Sequence, residues 1–164
     1  MSFRVLLLLL VASCAGTGQR QDVHLAPNAP QDRPVRFSGD GPNEALGKWR
    51  GLIAPHVQKA KATYPEAKGR YLAGLPPQQT FFVTTVIRDE QGHFEYIFVV
   101  VRQIADRSVT GRIATQVNLV QGYHDGDTIG FPEAEVIDWM ISKPDGSEEG
   151  NLVGKFLDTQ SQNQ

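Results

Sequence analysis

The chain has 164 residues, 40% hydrophobic and 21% charged, which suits one ordinary domain and excludes wholesale disorder. Sixteen Lys/Arg against eighteen Asp/Glu give a net charge of -2, so no global basic field for nucleic acid exists. A single cysteine excludes an internal disulfide and a cysteine-rich zinc site.

The chain opens with Met1-Ser2-Phe3-Arg4, followed by the apolar run from Val5 to Ala12. A basic start, a short apolar core and small residues form a secretory signal, too short to span a bilayer as a helix. Val11-Ala12-Ser13-Cys14 resembles the bacterial lipobox. That resemblance implies cleavage after residue 13 and a diacylglycerol thioether on Cys14, holding the protein to the bilayer. Ala15 stands where an Asp would mark inner-membrane retention, so in a host with two membranes the expected address is the outer one, facing the periplasm.

Residues 14–43 hold the lipidated Cys14 and a tether with Pro27, Pro30, Pro34 and Pro42 and no apolar period. Val35 and Phe37 are its candidates for packing on the domain. The domain is expected over 44–157, with 158–164 as a frayed tail. Ile53, Val57, Ala60 and Tyr64 fall on one helical stripe. Thr63-Tyr64-Pro65-Glu66 is a capping-box pattern and predicts a second short helix ending near Gly74.

From Thr80 the chain is β-branched and aromatic, and strands are predicted at 80–87, 94–101, 109–117, 128–131 and 136–141, the second of them central because it is apolar on both faces apart from Glu95. Leu152 to Leu157 is a candidate last strand. The fold class is α+β: a helical segment packed on a strongly curved antiparallel sheet of about five strands, curled toward a small, partly open barrel.

Charge is uneven. From Glu44 to Arg88 there are seven basic and two acidic residues; from Val120 onward there are two basic and nine acidic. Either the two halves attract each other, or the acidic half docks a basic protein partner, with Asp125, Asp127, Glu133 and Glu135 as its candidates.

Several motifs in this region resemble one known family. They are Phe81-Phe82-Val83, Phe94-Glu95-Tyr96-Ile97-Phe98-Val99, Gly111-Arg112-Ile113, Asn118, Gly126-Asp127-Thr128-Ile129, Val136-Ile137-Asp138-Trp139-Met140 and Gly150-Asn151. Together they are similar to the YegJ-like family, bacterial domain of unknown function 2314, over about residues 51 to 157. Glu95-Tyr96-Ile97-Phe98 stands where that family has Glu-His-x-Trp. The resemblance implies a fold and a bacterial source, but no cofactor or activity.

No nucleophile elbow is present, and the only thiol is the lipid site. His24, His56, His93 and His124 do not sit at metal-ligand spacing, and Asp125-Gly126-Asp127 reads as a turn rather than a calcium loop. No catalytic residue, metal or cofactor is assigned. The candidate binding residues are Glu95, Phe98, Asp127, Asp138 and Trp139. The leading expectation is a non-enzymatic envelope lipoprotein with an accessory or immunity-like role. Two alternatives make specific geometric demands. An envelope hydrolase would need Glu95 and Asp138 in one cleft. A small-ligand module would need Trp139 and Phe98 lining one pocket.

Overall fold

The structure is a computed structural model and describes residues 42–161. Cys14, the signal and the tether up to residue 41 lie outside the described residues. Among the described residues no helix is long and apolar enough to cross a membrane.

Helix α1 (Pro42–Ala73) is one continuous element of 32 residues, not the two helices predicted. Pro55 and Pro65 lie inside it, each removing one backbone donor. The capping-box pattern misled because the Thr63 hydroxyl does not cap a new helix. It donates back to the carbonyls of Lys59 and Ala60 within the same one. Ala60 and Ala67, both 1% exposed, press the helix on the sheet on either side of Pro65, and that packing outweighs the local stop signal.

Six strands follow: β1 (Thr80–Arg88), β2 (Phe94–Ala105), β3 (Ser108–Ile113), β4 (Thr128–Pro132), β5 (Asp138–Ser142) and β6 (Glu148–Gly150). They form one antiparallel sheet in the order β4-β3-β2-β1-β5-β6, so β2, read as central from its apolar run, lies inside the sheet. The sheet does not close into a barrel; β4 and β6 are its edges. A register shift between Val101 and Gln103 on β2 lets Ile104 join Val101 in the core. The third strand ends at Ile113, short of the predicted 117, because Thr115 turns its hydroxyl to accept the Phe98 amide.

The predicted strand at 152–157 is instead helix α2 (Leu152–Ser161), which also takes in the start of the expected frayed tail. Leu152, Val153, Phe156 and Leu157 suit a helix face as well as a strand. The decision is made by Asn151, whose φ of 53° breaks the extended run, and by the carbonyl of Asn151, which accepts the Lys155 amide as the first helical bond.

Alternation along β1 sorts the core into two faces. Phe81, Val83 and Ile87 face one core with Ile97, Val99 and Trp139, covered by the second half of α1. Phe82, Thr84 and Val86 face the other. There Phe82 packs with Phe98, Ala114 and Met140, and Val86 packs with Leu46, Trp49, Ile53 and Val153. Helix α1 therefore starts on one face and finishes on the other. It crosses beside the end of β1, where β5 no longer runs.

Candidate functional site

The two strand carboxylates are both buried, Glu95 at 3% and Asp138 at 1% exposure. Glu95 lies opposite Ile87, and Asp138 lies opposite Thr84. Cross-strand partners share a face, so the two acids point to opposite faces of the sheet. They do not form the cleft that paired acid–base chemistry requires. Nor does Glu95 face solvent or meet Arg112, whose Nε donates to the Gly126 carbonyl.

Each carboxylate holds backbone. Glu95 accepts three successive amides: Asn118 at 2.9 Å, Leu119 at 3.0 Å and Val120 at 3.1 Å. Asp89 adds a second clamp, accepting the Gln121 amide while its carboxylate meets the His93 ring at 2.9 Å. Burial would raise the Asp89 pKa, but the His93 ring and the Gln121 and His93 amides outweigh it and hold the group below the ordinary carboxylate value. Asp138 accepts the Trp139 amide at 2.8 Å and the Val153 amide at 2.6 Å, and so anchors the first turn of α2 to β5. Burial pushes its pKa up to about 6, against the lowering effect of those amides.

Trp139 and Phe98 also fall on opposite faces and do not line one pocket. The Trp139 indole donates to the Ala60 carbonyl at 3.2 Å and the Thr63 hydroxyl at 3.0 Å, tying β5 to α1. Asp127 serves its own turn, accepting the His124 amide at 2.7 Å. His56 stacks on Phe156 at 4.1 Å, and His24 lies outside the described residues. No cluster of three His, Cys, Asp or Glu side chains suited to a metal occurs among the described residues.

The uneven charge is spent partly within the domain. Lys68 pairs with Glu133 at 2.6 Å, and Arg70 pairs with Glu149 at 2.6 Å, joining the basic helix to the acidic half. Arg70 first, and Lys143 second, lower the Glu149 pKa to about 2.

What the structure does open is a groove of about 980 Å³. One wall is α1, through Arg50, Ala54, Val57 and Lys61; the other is the stretch around Ile129 and Phe131. Its floor is β1 from Thr85 to Arg88. A second hollow of about 540 Å³ adjoins it, with Trp139 and Tyr64 in its lining. Lys61 lines both and donates to the Ala134 carbonyl at 3.3 Å, forming a strut between them. The Tyr64 hydroxyl is buried beside the Glu133 carboxylate, and burial first, with that neighbouring charge second, raises its pKa.

Sequence reasoning passed over Arg50, Lys61, Val86 and Arg88. Their common feature is where β5 stops relative to β1, and no local pattern encodes that. Of the residues expected to bind, Asp138, Trp139 and Glu133 border the smaller hollow and Glu135 borders the groove, while Glu95, Phe98, Asp125 and Asp127 line neither.

Comparison with curated proteins and with solved structures yields no match. A family model described as "Uncharacterized protein conserved in bacteria (DUF2314)" matches residues 56–163, about two thirds of the chain. That span takes in the second half of α1, all six strands and α2. The chain therefore belongs to the bacterial DUF2314 family.

Proposed function

We propose that the protein is a non-enzymatic bacterial envelope lipoprotein, anchored through acylated Cys14, that binds a protein partner in an accessory or immunity-like role. The observation that carries the reading is the groove between α1, the end of β1 and the stretch around Ile129. It combines apolar side chains with a rim of exposed charges, the composition of a recognition surface with a dry centre and a polar border. The lipobox supports the anchor, and with it a place at the outer membrane, facing the periplasm, in a host with two membranes. The opposite orientation of Glu95 and Asp138, each engaged by backbone amides, counts against the hydrolase alternative.

A basic partner surface fits exposed Glu135 on the groove, together with exposed Asp125 and half-buried Asp127. Glu133 is already held by Lys68. The test is photo-crosslinking in intact cells from a reactive residue at Gln58, which lines the groove, against one at Asp106, which does not. A discrete adduct from position 58 alone supports the reading, and equal patterns from both refute it. Changing Asp125, Asp127 and Glu135 to Ser should weaken that adduct. Metabolic labelling with a palmitate analogue should label the wild type and spare Cys14→Ser.

A further inference from the structure

Central strands of a sheet are bonded on both sides, yet β1 is bonded on both sides only along its first part. β5 pairs with β1 from Thr80 to Thr84, while β2 stays with it to Arg88. The direction of the remaining backbone groups follows from the ladder. The Asp89 amide donates to the His93 carbonyl across the β1–β2 hairpin. Residues 87, 85 and 83 therefore bond toward β2, and residues 84, 86 and 88 bond away from it. On that outer side the Thr84 carbonyl accepts the Ile137 amide. Beyond it the chain leaves the lane, held by the Thr85 hydroxyl on the Glu135 carbonyl. No described residue bonds the outward N–H and C=O groups of Val86 and Arg88.

These groups line the 980 Å³ groove, with helix α1 opposite. A strand edge facing a helix across a cleft is the arrangement in which an extended peptide adds to a sheet. Four residues of edge, Thr85–Arg88, give roughly 13 Å of pairing length. The charges at this end choose the occupant. Arg50 and Arg88 are exposed, and neither guanidinium has a partner among the described residues. An apolar small molecule would leave the edge amides and both guanidinium groups unanswered. A peptide carboxylate answers the charges, and its backbone answers the edge.

We propose that the outer edge of β1 at Val86 and Arg88 is a strand-addition site, which takes up an extended peptide segment with an acidic side chain against Arg50 and Arg88. This rests on the protein-binding reading of the groove, and it concerns the inserted segment rather than the rest of the partner's surface.

The test uses the full chain in detergent and a fluorescein-labelled octapeptide of alternating valine and glutamate, read by fluorescence anisotropy. Binding of this probe, with binding of its valine–lysine counterpart weaker by about tenfold or more, is expected. Two further probes carry N-methyl groups on the valine or on the glutamate amides. One series should lose binding and the other keep it, because only alternate amides face the edge. Loss in both, retention in both, or no binding of the parent peptide overturns the proposal. Val86→Pro removes one groove-facing N–H and spares the β1–β2 bonds, so it should weaken the parent probe where Val86→Ala does not. If that variant fails to fold, the methylated probes on the wild type still decide. A groove crosslink in cells that survives while the peptide fails would refute strand addition and leave partner binding standing. Absence of any groove crosslink in the wild type would remove partner binding itself.

Discussion

Asp138 makes stability depend on pH in a direction opposite to that of most salt-bridged carboxylates. Its pKa rises from the usual 3.8 to about 6 on folding, because burial disfavours the charged form. The folded protein therefore holds this proton more tightly than the unfolded chain. The contribution is fully present below pH 3.8 and is lost as pH rises through about 6. At about 1.4 kcal/mol per pH unit, the loss amounts to about 3 kcal/mol. Asp138→Asn removes the titration. It also leaves a single side-chain oxygen to serve two amides, Trp139 and Val153, at a cost of about 1–3 kcal/mol. Urea unfolding of both proteins at pH values from 4 to 8 gives their difference directly. The variant should be the less stable at pH 4, and the gap should close or reverse by pH 7. A difference that stays flat across this range, or that widens with pH, would show that the amides rather than burial govern this group.

Other substitutions probe the remaining contacts. Glu95→Gln should cost about 2–4 kcal/mol in urea unfolding and speed hydrogen exchange at residues 118–120, since one amide oxygen replaces a carboxylate holding three N–H groups. Trp139→Phe should cost about 1–2 kcal/mol by leaving the Ala60 carbonyl and Thr63 hydroxyl without their shared donor, measurable as a lowered urea midpoint. Gly150→Ala should cost about 3 kcal/mol or more, because φ is 77° there and a Cβ would collide with the Trp139 carbonyl. Gly146→Ala, with φ of 83° but open space around it, should cost only about 1 kcal/mol in the same urea unfolding.

The α+β class, the central place of β2 and the positions of most strands were legible because alternation and β-branching are local signals. The joins were not. Thr63-Tyr64-Pro65-Glu66 carries a start signal that the packing of Ala60 and Ala67 overrides. Leu152 to Leu157 reads equally well with period 2 or 3.6, and its state is set by Asn151 and by the Asp138 carboxylate from another strand. Glu95 and Asp138 stand out in the sequence as acids inside apolar strands. The amides Glu95 holds lie 23 or more residues away and the Val153 amide on Asp138 lies 15 away, so a backbone-holding role is not readable from local sequence. The groove was still less visible, since it arises from the difference in length between two strands that are neighbours only in space.

The path of α1 has a mechanical consequence. Its first half is gripped by α2 and the Tyr96 face, with Trp49 and Tyr96 rings 4.7 Å apart, and its second half is gripped by Trp139 on the opposite face. A stiff rod held on both sides of a plate pivots at the place where it crosses the rim. That rim is the uncovered end of β1. A segment wedged between the rod and the rim would tilt the whole rod, so occupancy on one face would be felt as strain at Leu46, Trp49 and Val153 on the other.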